Sequence, residues 1–181
     1  DIIELYGRKP RTKTTEQILA ELQTLYELKY RGHIDFVDDN FIGNKRNVKE
    51  TLPAIKEWSE KHHYPFYFTT EASINLADDE ALMTMMQDVD FRFVFIGVET
   101  PDDDLLKEMR KKQNVDKPIK EMIRKIYDYG MVVNAGFIMG FDNETDKTAD
   151  AMIDLIQDSG IPMAMLGTLV ALPRTQLTRR L

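Results

Sequence analysis

Apolar residues recur along this chain with two alternating periods, and the alternation predicts its elements. After Thr14-Thr15-Glu16-Gln17, which has capping-box spacing, Ile18, Leu22, Leu25 and Lys29 mark one helical face, with Leu19 and Tyr26 beside it. Gly32 closes that helix, and residues 34–37 read as a short strand running into Asp38-Asp39-Asn40. A second helix is expected from Asn47, with Val48, Leu52, Ile55 and Trp58 inward, and Pro53 predicts a kink or a later start. Residues 65–70 form the next strand. Asp78 then caps a helix with Leu82, Met85, Met86 and Val89 on its core face. The clearest strand covers residues 91–98, where the run Phe93-Val94-Phe95-Ile96 predicts burial on both faces, as in a parallel sheet. Thr100 is placed as a cap with Pro101 at the first helical position. Ile119, Met122, Ile123 and Ile126 mark a longer helix ending at Gly130, followed by a strand over residues 131–139. Ala149, Met152, Ile153 and Ile156 mark another helix, ended by Gly160. A last strand spans residues 163–170, and a final helix begins over residues 175–181.

Strands alternating with helices predict βαβ units and a parallel sheet, hence an α/β protein. The repeat of about 30 residues is near the roughly 31 of an eight-unit barrel, but five strands are too few to close one. Periodicity leaves an open doubly wound sheet and a partial barrel as alternatives. The 181 residues suffice for one domain, and a composition 43% hydrophobic and 30% charged is that of a globular protein. No apolar run reaches membrane-spanning length and no signal-peptide pattern opens the chain, so a cytoplasmic location is expected.

The net charge of −7 argues against nucleic acid as a partner, because an acidic surface does not attract phosphate backbones. The one basic cluster, Arg8, Lys9, Arg11 and Lys13, reads as a solvated loop. There is no cysteine, so no disulfide and no thiolate-bound metal forms within the chain. Of the three histidines, His62 and His63 fall where a helix ends and are expected as polar end-caps. The ten methionines fit core filling.

In parallel α/β folds ligands bind at the C-terminal ends of strands. Each predicted strand here ends in chemically useful residues: Asp38, Asp39 and Asn40; Glu71, Ser73 and Asn75; Gly97 and Glu99; Gly136, Gly140, Phe141 and Glu144; and Pro173-Arg174-Thr175. Carboxylates converging on one rim suit a ligand with ammonium and hydroxyl groups. Gly136 and Gly140 allow the close approach a flat ring needs. Taken singly, such residues are also ordinary turn formers and caps. Glu71 and Glu99 fit that reading least. No Ser–His–Asp set or phosphate loop is present.

These strand ends resemble the radical S-adenosylmethionine (SAM) superfamily, and most closely its cobalamin-binding subgroup. The segments that carry the resemblance are Phe36-Val37-Asp38-Asp39-Asn40-Phe41, Thr70-Glu71-Ala72-Ser73-Ile74-Asn75-Leu76, Phe95-Ile96-Gly97-Val98-Glu99-Thr100-Pro101, Gly136-Phe137-Ile138-Met139-Gly140-Phe141-Asp142 and Ala171-Leu172-Pro173-Arg174-Thr175. The resemblance implies a partial parallel (β/α)6 barrel, of which residues 1–181 would be strands two to six, with the first strand missing. It implies SAM-binding roles for Asp38, Asp39, Glu71, Ser73, Glu99, Gly136, Ile138, Gly140, Phe141 and Leu172. It also implies a [4Fe–4S] cluster that cleaves SAM reductively, cobalamin as a further cofactor, and methyl transfer to a small-molecule substrate. Two features depart from the family pattern. The second-strand motif is Asp-Asp-Asn where Gly-Gly-Glu is frequent, and the C-x3-C-x2-C cluster loop is absent. Asp1-Ile2-Ile3-Glu4 looks like the segment that follows the third cysteine. The chain is therefore expected to be an inactive fragment of a longer protein with an N-terminal cobalamin-binding domain. The alternatives are a (β/α)-barrel enzyme without radical chemistry and a non-catalytic (β/α) binding module. Loss of the first strand would also leave residues 34–37 as an open sheet edge, which predicts self-association or a cover formed by residues 2–6.

Overall fold

The computed structural model describes residues 7, 11–108, 114–115 and 117–181. Residues 1–6, with the proposed edge cover, and Arg8 and Lys9 of the basic cluster lie outside this set. Helix α1 (Thr15–Glu27) leads into β1 (Gly32–Phe36), and α2 (Lys45–Lys61) into β2 (Phe66–Ala72). Then follow α3 (Glu80–Asp88), β3 (Phe91–Glu99), α4 (Asp103–Glu108), α5 (Ile119–Asp128), β4 (Val132–Met139), α6 (Asp146–Ser159), β5 (Met163–Thr168) and α7 (Gln176–Arg180). Short 3-10 turns at Phe41–Asn44 and Ile74–Asp78 precede α2 and α3.

All strand pairs are parallel, and the sheet order is β1-β2-β3-β4-β5. This order decides between the two architectures left open by periodicity. A doubly wound sheet reverses direction at a switch point, which places helices on both faces. Here every crossover steps the same way, and crossovers have one hand, so the helices share one face and the sheet curls into a partial barrel.

The helix-covered face holds the core. Phe66, Phe68, Val94, Ile96, Val133, Ala135 and Phe137 from the strands pack with Leu52, Ile55, Leu82, Met86, Ile123, Ile126 and Met152 from the helices. Each fully buried large side chain of this kind contributes about 1.5–3 kcal/mol. Phe36, Phe41, Phe68 and Phe91 form an aromatic cluster with centroids 5.3–5.7 Å apart. Lys13 is paired with Glu21 at 2.7 Å, both exposed, in keeping with a solvated loop. The expected role of His62 is also met: it is the C-cap of α2, and its Nδ1 lies 2.7 Å from the Trp58 carbonyl.

Several boundaries differ from the sequence expectation. Strand β1 starts at Gly32 and stops at Phe36, leaving Val37 90% exposed. Helix α2 begins at Lys45, capped by Asn44, whose Oδ1 accepts from the Asn47 N–H at 3.2 Å. The helix runs through Pro53, an exposed position where a missing N–H faces solvent. Asp79, not Asp78, caps α3 by accepting from Leu82 N–H, and Lys49 pairs with it at 2.9 Å. Before α4 the cap is Asp102, which accepts from the Asp104 and Leu105 amides; Thr100 is buried and holds Asp102 instead. In α6 the buried face is Thr148, Met152 and Leu155, and Ile153 is exposed.

The largest correction concerns β3. The expected burial on both faces does not occur: Phe93 is 37% exposed and Phe95 half-buried, both facing the cavity on the concave side. A bulge explains the misreading. Thr69 pairs with Phe93 where Phe68 pairs with Phe91, so Arg92 is extra and the alternation changes phase. Phe91 and Val94 then both point to the helices. A second shift, between Gly97 and Glu99, lies at the C-terminal end of the same strand.

Candidate active site

The loops after β1 and β2 carry the first cluster of carboxylates. Asp38 and Asp39 follow β1, and Glu71 lies at the end of β2. They feel one another's charge. Partial desolvation raises the Glu71 carboxyl above the ordinary range, with further rises from Asp39 and Asp35. Asp38 is raised by desolvation and by Asp39, against a lowering from Lys13. The charge of Asp39 thus bears on both Asp38 and Glu71, and a group of carboxylates of this kind favours a neighbouring cation. Asn40 locks the two loops together: its Oδ1 accepts from the Ser73 amide at 3.1 Å, while the Ser73 hydroxyl donates to Asn75 Oδ1 at 2.5 Å. Ser73 thus joins the cluster by bracing it.

At the end of β3, Glu99 has φ +71°, an unfavourable conformation for a residue with a side chain. The backbone beside it is held by Asn114, which is buried and donates through Nδ2 to the carbonyls of Gly97 and Val98 at 3.0 and 3.1 Å. A strained residue fixed at a strand end is typical of a site whose geometry is over-determined.

Strand β4 supplies the glycines. Gly140, just after the strand, has φ +100°, and its N–H donates to Glu144 Oε2 at 2.7 Å. The other oxygen of Glu144, Oε1, is buried with no hydrogen-bond partner among the described residues. Ile138 pairs with Gly167 of β5, and Phe141 is half-buried beyond Gly140. Gly136 pairs with Gly97, and its open side is taken up by the chain itself: a Cβ there would lie 2.7 Å from Phe95 Cζ. Leu172, in the loop after β5, is exposed, and its carbonyl accepts from Thr175.

Below this rim the concave face forms a cavity of about 460 Å³. On one side Thr69 donates to Asp35 Oδ1 at 2.7 Å, and His33 Nε2 lies 2.7 Å from the same hydroxyl. A threonine hydroxyl has one proton, already given to Asp35, so His33 donates through Nε2–H. On the other side stand Phe93, Phe95 and Met165, with Asn134 between the two walls. Sequence reasoning missed this lower layer. Period-two alternation through Asn134, Gly136 and Ile138 would have placed them on one face, but Asp35, Thr69 and His33 meet only across two strands.

These features define the class: a parallel half-barrel with an acidic and glycine-rich ligand rim at its C-terminal strand ends. The Radical SAM superfamily model matches residues 4–156, and the chain belongs to that family. It is 49% identical over its whole length to an uncharacterized methyltransferase of Synechocystis sp. and 41% identical to the hopanoid C-2 methylase of Rhodopseudomonas palustris. It spans 34% of the length of each of these relatives. The radical SAM methyltransferase TsrM from Kitasatospora setae, solved with cobalamin and a [4Fe–4S] cluster bound, has the same fold. The TM-score is 0.73 over 92% of this chain and 32% of that one, at 15% identity.

The residues present fit SAM. The rim offers carboxylates to an amino group and hydroxyls, and the Gly140 N–H is already given to Glu144 Oε2. They do not fit the cluster. The chain has no cysteine, and no three His, Asp or Glu residues form a metal-binding group among the described residues.

Proposed function

We propose that this chain is the SAM-binding body of a radical SAM methyltransferase of the cobalamin-dependent kind, and that the cluster is held by residues outside these 181. The observation that carries the reading is the gathering of Asp38, Asp39 and Glu71 at adjacent strand ends in a chain of this family. Asp39 and Glu71 would receive the SAM amino group, whose positive charge relieves their mutual repulsion. Glu99, held by its clamped backbone, would accept hydrogen bonds from the ribose hydroxyls. Gly140, Ile138 and Phe141 would frame the adenine, and Leu172 would cover its edge. A [4Fe–4S] cluster held by residues outside this chain would supply the electron for SAM cleavage, and cobalamin would carry the methyl group. The residues of this chain orient SAM and shield it from solvent.

The test compares this chain with the full-length protein that contains it, after anaerobic reconstitution with iron and sulfide. The full-length protein should gain the visible absorbance of the cluster and release 5′-deoxyadenosine from SAM under strong reductant, and the short chain should do neither. Turnover by the short chain would show that the cluster ligands have been misassigned. A full-length protein that takes up no cluster would overturn the reading.

A further inference from the structure

Glu99 sits at the centre of a tight turn. The Thr100 N–H donates to the Val98 carbonyl at 3.0 Å, across a residue with φ +71°. An i to i+2 bond with positive φ at the central residue is the pattern of the rare, strained form of the γ-turn. A residue with a side chain keeps such a conformation only where its surroundings over-determine it. The register of β3 shows where that support is needed. Gly97 pairs with Gly136 and Glu99 with Phe137, so Val98 is skipped and the ladder is interrupted there.

Asn114 supplies donors at this interruption. Its Nδ2 carries two protons, and it donates to the carbonyls of Gly97 and Val98 at 3.0 and 3.1 Å. The Val98 carbonyl then has both lone pairs in use, one toward the Thr100 N–H and one toward Asn114. The opposite amide orientation would set Oδ1 against two acceptors, so the geometry fixes which end faces the turn. Asn114 is 2% exposed, and its Oδ1 is buried with no hydrogen-bond partner among the described residues. A buried unpaired oxygen costs stability, which offsets part of what the two bonds contribute. The side chain is thus a modest stabiliser and an effective clamp.

We propose that Asn114 is a positioning residue for the Glu99 carboxylate: by bridging the Gly97 and Val98 carbonyls it holds the left-handed turn that aims Glu99 at the ligand rim. The inference rests on the proposed role of Glu99 toward SAM and adds the residue through which that role is set. Asn114 acts on the ligand only through Glu99.

A double-mutant cycle tests it in the full-length protein that contains this chain, reconstituted with its cluster. SAM affinity is measured by equilibrium dialysis, and Tm is recorded for each variant. Glu99→Ala should weaken SAM by roughly tenfold or more, the range of a hydrogen bond to a charged group. Asn114→Ala should weaken it by roughly three- to tenfold, but by less than about twofold once residue 99 is alanine. Asn114→Gln keeps both N–H donors on an arm one methylene longer, and supplies the same comparison should the alanine variant fold poorly. It should weaken SAM less than alanine does, and again only with Glu99 present. A residue that merely stabilises the fold would lower Tm with SAM affinity unchanged, or weaken SAM equally in both backgrounds; either result would overturn the proposal. If Glu99→Ala itself leaves SAM affinity unchanged, the reading of Glu99 at the ribose fails and the proposal with it. If Glu99→Ala weakens SAM and the Asn114 variants do not, the proposal alone fails.

Discussion

Gly136→Ala is a compact test of how the concave face is packed. Position 136 has no left-handed backbone, so alanine is conformationally allowed there. The new methyl carbon would lie 2.7 Å from Phe95 Cζ and 3.1 Å from Cε1. Carbon atoms in contact normally stand about 3.5–4.0 Å apart, so the ring tip must retreat by roughly 1 Å. Overpacking a core costs about 1–3 kcal/mol. Phe95 is only half-buried and can swing toward the cavity, which places the cost near 1 kcal/mol in that range. Against this, losing the flexible glycine stabilises by about 0.4–1 kcal/mol through the unfolded chain. The single variant should therefore be near neutral, and the informative quantity is the coupling. With Phe95→Ala in place the clash disappears, and Gly136→Ala should then stabilise by about 0.4–1 kcal/mol, giving a coupling of roughly 1 kcal/mol. Urea titrations of the parent, two single variants and the double variant measure it. A coupling within about 0.3 kcal/mol of zero would refute the argument that Phe95 is the reason for glycine at this position.

Two further outcomes follow from the edge and the rim. The folded-state pKa of Glu71 is raised, so the folded chain holds that proton more tightly than the unfolded chain. Its ionisation therefore destabilises the fold as pH rises from the unfolded value of about 4.3 through the folded one. Glu71→Gln should raise Tm at pH 7 and leave it unchanged at pH 3; a lower Tm at pH 7 would contradict the assigned repulsion. Among the described residues strand β1 lies at one end of the sheet with a strand on one side of it, and the chain should self-associate with rising concentration. Light scattering that shows a monomer over a wide concentration range would count against it.

The elements were legible where one local signal determines them. The Thr14 capping box, the left-handed Gly160 after α6 and the His62 cap lie within a few residues of what they control. The resemblance of the strand ends to the radical SAM superfamily implied the partial parallel barrel that the strand order bears out. Periodicity alone left the common step direction open, because it does not record which strand pairs with which. The bulge at Arg92 has the same origin. Its extra residue is defined only against β2, so Phe93 and Phe95 read as core although they face a cavity. Asp78 was preferred to Asp79 because the 3-10 turn over Ile74–Asp78 delays the helix by one residue. At the site, the rim was legible because it sits at strand ends. The Asp35–Thr69–His33 chain was not, since its members are 34 and 36 positions apart. Asn114 gives no sequence signal either; its role is to hold two carbonyls of a strand more than a dozen residues away.

The strand order has a kinetic meaning as well. Because every strand bonds only to its predecessor and successor along the chain, the sheet can grow as the polypeptide leaves the ribosome, one βα unit at a time. No early strand has to wait for a distant partner, and loop-closure entropy stays that of a single crossover at each step. The nascent edge is always the most recent strand, completed by the next unit to emerge. Vectorial growth of this kind leaves one new unfinished strand at the growing side of the sheet at each step.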